Sequence, residues 1–462
     1  MTMTVDQRSP AVDVMAENWP VIAALMEGTV AMRAAGRAYL PQQPREDEED
    51  YKYRLATATL FPALRRTVGV MAGKPFSKEV TLGDDAPEQI KALAQDIDGE
   101  GRSLHSFSAD LMQETVAFGF GGVLVDFTRT EGQARTLADE RAMGARPYWV
   151  HIKHDQILGW KTERVGDQLV LTQFRFTESK EEPDGDFGTV IVPRVRVLTR
   201  GAWQVWEKRG QAKEYTLVES GKTTIDVIPF VPFYGIRAGF MIGLPPLLDL
   251  AHANVKHWQQ QSDQDDSARF ARKRLLVLIG LDDDKAITAS SNFALKMPSG
   301  ADAKVVQGSA ESVTVGRNEL DALEEQMIQA GAELLVAKPG ERSATEASND
   351  AEANKSELQR IVESFEDSID QCLQLTAKWL KLEEGGHASL YKDFGAATLT
   401  DASAQLILSM QQAGLITKPT AIREQQRRGM LAADIDPEEE LALVAEEGPP
   451  LGTMGDPGNV GQ

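Results

Sequence analysis

The sequence has one cysteine, Cys372, in 462 residues. An intramolecular disulfide is excluded, and the apolar neighbours of Cys372 mark it as a small buried hydrophobe. No run of eighteen apolar residues occurs, so no transmembrane helix is expected. Residues Met1 to Pro10 lack the basic and apolar layout of a secretory signal, and an intracellular site of synthesis is expected. Positive charge is scarce: 49 Lys and Arg stand against 70 Asp and Glu, a formal charge of −21. A protein that grips duplex DNA neutralises phosphates with a basic face, and this balance argues against that class. A protein that touches DNA without gripping it remains open, because a mostly acidic wall repels phosphate and lets the polymer slide.

Signatures of chemistry are also missing. The chain contains no GxxxxGK[ST], HExxH, CxxC or GxSxG. Gly119-Phe120-Gly121-Gly122 follows a helix and precedes a strand, the reverse of a dinucleotide loop, and reads as a tight turn. His151 and His154 are expected on opposite faces of a strand, and His252 and His257 do not share a helix face. Asp282-Asp283-Asp284 lacks calcium-loop spacing and reads as a solvated turn. No catalytic residue, metal or cofactor is expected.

The segment from Asn318 to Gly385 is the most informative part of what is present. Leu320, Leu323, Met327, Ala330 and Leu334 recur at spacings that make a narrow apolar seam, suited to packing along another helix. Ala337 to Arg342 breaks the pattern with Pro339-Gly340 and places Lys338 and Arg342 in a short loop. Ser343, with Glu346 three residues on, reads as a capping box opening a second helix that ends at Gly385-Gly386.

Before this segment, helices are expected at Ala11 to Ala35 (kinked or capped at Pro20), Tyr51 to Ala72 and Ser103 to Phe118. Pro41 to Asp50 reads as an acidic solvated linker. From Pro147 to Pro232 the pattern turns β-rich, with a polar hairpin or loop at Glu181 to Gly188. Ile228 to Phe233 carries two prolines and reads as an edge strand or an extended crossing. Pro246 to Arg272 predicts one long helix of roughly 40 Å, polar almost all round in its second half, as in a helix that bridges solvent or lies among copies of itself. Arg269, Arg272, Lys273 and Arg274 cluster at its end, fitting either the helix C-terminal dipole or contact with nucleic acid or an acidic partner. A strand at Leu275 to Ile279 and a loop at Pro298 to Gly300 follow. Later, short helices are expected at Thr400 to Met410 and from Thr417 to Gly429, then a disordered tail.

The order of several stretches resembles the portal protein of tailed double-stranded DNA bacteriophages, and within it the short portal-like group described as a domain of unknown function. The stretches are Tyr51-x-x-Arg54-Leu55-Ala56-x-Ala58 with Arg65-Arg66-Thr67-Val68, Gly121 to Asp126, Arg146-Pro147-Tyr148, Ile228 to Phe233, Pro246 to Ala251, Ser343 to Glu346 and Gly414 to Thr417. The resemblance implies an α+β, mainly helical portal fold assembled into a ring, usually of twelve copies. It implies a wing over residues 1–245, a descending stem helix over 246–272, a clip over 273–316 and an ascending stem helix over 317–335. A tunnel loop over 336–343, a long helix over 344–384, a crown over 385–447 and a tail over 448–462 complete it. Lys338 and Arg342 would then face DNA, and Leu320, Leu323, Met327 and Leu334 would form an intersubunit or stem seam.

The implied role is a head–tail conduit at one capsid vertex, without ATPase activity of its own. Its implied partners are further copies of itself, double-stranded DNA, major capsid protein, scaffold, the terminase large subunit and adaptor or tail proteins, with no membrane. Two other readings are kept. One is a head or neck protein without a tunnel, such as a minor capsid or adaptor component. The other is a hydrolase, which would need a pocket of convergent titratable groups.

Overall fold

Proline and glycine cut the N-terminal apolar stretch into three helices, α1 (Pro10–Ala16), α2 (Trp19–Glu27) and α3 (Thr29–Ala35). Pro20 sits in the first turn of α2, where its missing N–H costs nothing. Gly28 separates α2 from α3 with φ +96°, a second break that the one-helix expectation lacked. The computed structural model describes residues 4–128, 144–210, 212–272, 275–279, 302–306, 310–332, 356–392, 411, 417–427, 436–437 and 440–443.

The expected helix over 51–72 is two helices, α4 (Glu48–Thr57) and α5 (Ala63–Gly73), parted by an extended segment that ends at Pro62. The stretch expected as an acidic solvated linker is exposed over most of its length, but its last three residues belong to α4. Asp47 caps α4 by accepting from the Glu49 and Asp50 amides, and Glu48, Glu49 and Asp50 form its first turn, where the helix dipole favours negative charge. Helices α6 (Glu88–Leu93) and α7 (Leu104–Phe118) follow the short strand β1 (Thr81–Leu82). Ser103 caps α7, and Gly119 ends it with φ +78°.

Gly119 alone makes the turn after α7, because Gly121 and Gly122 lie inside β2 (Phe120–Phe127). The tight-turn reading thus holds for one glycine of three. β2 is the centre of a three-stranded antiparallel sheet, between β3 (Pro147–Ile152) and β9 (Phe230–Tyr234). Gly122 faces Pro232 in register, and a Cβ there would lie 2.3 Å from the Phe230 ring. β9 is an edge strand, as its prolines require.

A second antiparallel sheet runs in sequence order: β4 (Ile157–Val165), β5 (Gln168–Asp184), β6 (Gly188–Thr199), β7 (Ala202–Glu207) and β8 (Thr216–Lys222). The hairpin β10 (Ile236–Gly239) and β11 (Ile242–Leu244) leads to the long helix α8 (Leu248–Arg272). A ribbon of β12 (Leu275–Ile279) and β13 (Asp302–Val306) follows, then α9 (Ala310–Ala332). α9 starts earlier than the residue 317 that the portal resemblance implies.

Helix α10 (Glu357–Leu380) covers the three-stranded sheet with Leu358, Ile361, Val362, Phe365, Ile369 and Leu373, all buried. Its cap is a Ser356–Gln359 capping box, and it ends at Lys381 (φ +59°), ahead of the expected Gly385-Gly386. Trp149 Nε1 donates to Thr376 Oγ1 at 2.9 Å, fixing helix to sheet. β14 (Ala388–Ser389) pairs with β1. The chain divides into two compact units, Met1–Leu390 and Tyr391–Gln462. In the second, α11 (Lys418–Arg427) opens as expected, with Thr417 Oγ1 accepting from the Thr420 amide at 3.4 Å. The described chain is therefore a mixed fold of several helices and antiparallel sheets.

Candidate functional site

The feature that stands out from this scaffold is an arm. α8 has 25 residues and α9 has 23, giving lengths of about 37 and 35 Å at 1.5 Å per residue. They pack along one another, and the β12–β13 ribbon connects their far ends. Leu320, Leu323 and Met327 of the predicted seam are buried on α9, while Ile328 and Val315 are exposed on it. Glycine brings α9 close to its neighbours: Gly316 lies against Gln264 of α8, and Gly331 against Thr67 of α5. His257 of α8 joins the two helices through Nε2 and Glu324 Oε1, 3.1 Å apart.

The polar second half of α8 has partners inside its own chain. Gln259 donates to the Tyr39 carbonyl at 3.0 Å, Gln264 donates to the Val313 carbonyl at 2.7 Å, and Asp263 accepts from Gln43 at 2.7 Å. Those bonds engage Gln259, Asp263 and Gln264, while Asp263 and Asp266 keep 56% and 64% of their side chains exposed. Asn254 closes the α5 end of the break between α4 and α5: it accepts from the Leu64 amide at 3.0 Å and donates to the Phe61 carbonyl at 2.9 Å. A break in a helix frees backbone groups, and a fully buried amide side chain satisfies two of them here.

Arg54 ties α4 to the second half of α8. It donates to Glu46 at 2.7 Å and to the Pro41 carbonyl at 2.7 Å, and approaches Asp263 of α8 to 3.6 Å. Both Arg54 and Glu46 are covered from solvent, with side-chain exposures of 5% and 8%. The hydrogen bond from Arg54 holds the Glu46 carboxyl below the usual carboxylate range, against the opposing effect of desolvation.

The predicted basic positions separate. Arg269 is engaged within the chain, by Thr57 Oγ1 at 3.0 Å, by Asp266 at 3.3 Å and by the Tyr53 ring at 5.0 Å. Arg272 is exposed in the last turn of α8. Lys273, Arg274, Leu334, Lys338 and Arg342 lie outside the described residues. So do Asp282 to Asp284, Pro298 to Gly300, the Ser343 to Glu346 capping box, the Thr400 to Met410 helix, Gly429 and the tail from 448.

His151 and His154 depart from the opposite-face expectation. β3 ends at Ile152 and a single 3-10 turn at His154–Gln156 swings His154 back, so that it bonds Glu114 through Nδ1. His151 lines the same small cavity as Glu114. Burial pushes His151 down to about 4, with the Lys153 and Arg102 charges acting in the same direction. Among the described residues, no group of three or more His, Cys, Asp or Glu could hold a metal ion, and no helix is long and apolar enough to cross a membrane. Cys372 is fully buried, and its thiol is raised well above the usual range by burial.

Among protein-family models, residues 246–380 match a family described as a domain of unknown function, DUF4055. The match takes in α8, the ribbon, α9 and α10. No curated protein matches the sequence. Solved structures similar to the chain include the neck of a native GTA particle computed with C12 symmetry: 12% identity, 87% of this chain, 99% of that chain, TM-score 0.41. The virion of a native gene transfer agent particle matches at 13% identity over 87% of this chain and 99% of that chain, TM-score 0.40. The neck of an empty GTA particle computed with C6 symmetry matches at 14% identity over 90% of this chain and 98% of that chain, TM-score 0.40.

Proposed function

We propose that the chain is the repeating subunit of a portal-type ring, which conducts double-stranded DNA through one vertex of a capsid. The observation that carries this reading is the arm: two long antiparallel helices with a buried seam between them and a β-ribbon at their tip. In this assignment α8 and α9 are the stem, the β12–β13 ribbon belongs to the clip, and residues 1–245 form the wing. Residues 336–343 form the tunnel loop, α10 is the long helix above it and 385–447 the crown. The resemblance of the sequence stretches supports the assignment, and so does the charge of −21. An acidic wall keeps DNA from adhering, while a few cations at Lys338 and Arg342 supply local, reversible phosphate contacts.

The subunit performs no chemistry of its own in this reading. The terminase large subunit supplies the work of packaging, major capsid protein and scaffold surround the ring, and adaptor or tail proteins replace the terminase afterwards. Native mass spectrometry of the purified protein tests the assignment. A single assembly near twelve copies is expected; monomers or dimers that persist at high concentration, with scaffold added, contradict it. The Lys338→Ala and Arg342→Ala double variant should keep that mass and alter packaging or genome retention, and unchanged phage yield and retention would rule out the tunnel-loop role.

A further inference from the structure

A pocket of about 330 Å³ opens between the two larger sheets and the C-terminal turn of α10. Phe127, Trp203 and Trp379 line it, together with Arg196, Lys222 and Lys381. The aromatic walls are held in place. Phe127 and Trp379 stack with centroids 5.4 Å apart, and Trp379 Nε1 donates to the Val125 carbonyl at 2.9 Å. Trp203 lies so close over Gly221 that a Cβ there would come within 2.7 Å of its ring. Arg196 is neutralised by Asp126 at 2.6 Å and Glu178 at 3.4 Å. Lys222 and Lys381 are exposed, and among the described residues neither makes an ion pair. An aromatic socket with a cationic rim fits an apolar side chain flanked by carboxylates.

The same chain carries such a plug. β5 and β6 outrun their neighbours: β4 pairs with β5 only as far as Phe176, and β7 pairs with β6 only from Arg194 onward. From Lys180–Val192 to Asp184–Gly188 the ribbon has two strands alone. The turn at its tip is tight, with Gly185 at φ +67° and Gly188 pressed against the Asp184 carbonyl. Phe187 is left at 102% relative exposure, more than any other exposed large hydrophobic side chain described. It stands next to Asp186 and three residues from Asp184. An exposed Phe forgoes a burial gain that a partner surface would supply.

Phe187 cannot fill the pocket of its own chain. It lies nine residues from Arg196 along one strand, about 30 Å at 3.3 Å per residue. Plug and socket are different patches, so a contact between them is head-to-tail, the kind that closes into rings. We propose that the β5–β6 tip of one copy seats Phe187 in this pocket of the next copy, with Asp184 and Asp186 meeting Lys222 and Lys381. The contact rests on the self-association proposed above and not on the DNA-conducting role.

Disulfide trapping tests it in a chain whose one native cysteine is fully buried. Asp186→Cys puts a thiol beside the plug while keeping Phe187, and Thr224→Cys puts one on the socket wall. Oxidising a mixture of the two single variants should give one covalent heterodimer, and the double variant should give a ladder. Neither single variant alone should crosslink. Adding Phe187→Asp to the Asp186→Cys chain should slow trapping about tenfold or more, while Phe187→Trp should not. If native mass spectrometry finds assembled copies and no heterodimer forms, the plug contact falls and the ring stands. Trapping only between two Asp186→Cys chains, or trapping indifferent to Phe187→Asp, also overturns it. If the mass stays that of one copy and no heterodimer forms, both readings fall.

Discussion

Replacing Arg54 with alanine should loosen α4 from α8. The substitution leaves the Glu46 carboxylate covered and without its cation, and it removes the approach to Asp263 on α8. Breaking a deeply buried ion pair costs about 3–5 kcal/mol. This pair is shielded but close to the surface, where nearby solvent weakens the field, so about 2–3 kcal/mol is expected. The opening is local, and hydrogen exchange read by mass spectrometry reports it segment by segment. At a factor of ten per 1.4 kcal/mol, amides in α4 should exchange about 30- to 150-fold faster. Amides of β2 should be unaffected. Replacing both partners, Arg54→Met with Glu46→Leu, should restore most of the protection, because no charge is then stranded. pH gives a third arm. Glu46 titrates lower in the fold than when unfolded, so its contribution is present above the ordinary carboxylate range and fades as pH falls through the depressed value. Exchange in α4 of the Arg54→Ala chain within about threefold of the parent would refute the reasoning, because it would mean a cost well under 1.4 kcal/mol.

Other consequences follow from single residues. Gly119→Ala should abolish soluble expression, since its Cβ would sit 2.2 Å from the Leu244 and Pro245 backbone at φ +78°. Gly144→Ala, at φ +68° with nothing within 4 Å, should cost only the about 1–2 kcal/mol of a left-handed residue; equal damage from both would remove the clash argument. Met327→Ala should destabilise α9 by about 2–5 kcal/mol in hydrogen exchange, while Ile328→Ala in the unassembled chain should stay within about 0.5 kcal/mol. The buried His151 titrates near 4, so below its ordinary value the unfolded chain binds a proton that the fold does not. Stability should therefore fall as pH drops from about 6.5 toward 4, and His151→Phe should flatten that slope in thermal melts; an unchanged slope would exclude the histidine as its source.

Local chemistry decides which elements are legible in the sequence. Ser103 and Gly119 bracket α7 because capping and left-handed termination are short-range, and the prolines at 229 and 232 put β9 at an edge for the same reason. The long α8 and the buried Leu320, Leu323 and Met327 followed from periodicity. The failures are places where a distant partner decides. The apolar pattern runs on through a break at 58–62, and the break is tolerable because remote groups take up its freed backbone: Asn254, about 190 residues later, pairs the Phe61 carbonyl and the Leu64 amide at the α5 end, and Arg33 donates to the Ala58 carbonyl at the α4 end. Within the acidic run only Glu46 departs from a solvated reading, because it turns inward to Arg54, a partner that charge alone does not reveal, while the exposed Asp47 caps a helix. The bonds from the polar half of α8 to Tyr39 and Gln43 join residues about 220 apart, so periodicity alone could not show them. His154 escaped its strand alternation through one 3-10 turn. The Phe187 plug did carry a signal, an aromatic set among Asp and Gly in a turn, but its isolation was visible only once the lengths of β4 and β7 were known.

Electron microscopy of the purified protein, with class averages computed without imposed symmetry, tests the central claim most directly. The account predicts closed rings with an open axial hole and near-twelvefold repetition, with scaffold added where closure needs it. Compact particles without an axial hole, or small closed oligomers that persist with scaffold present, would contradict it.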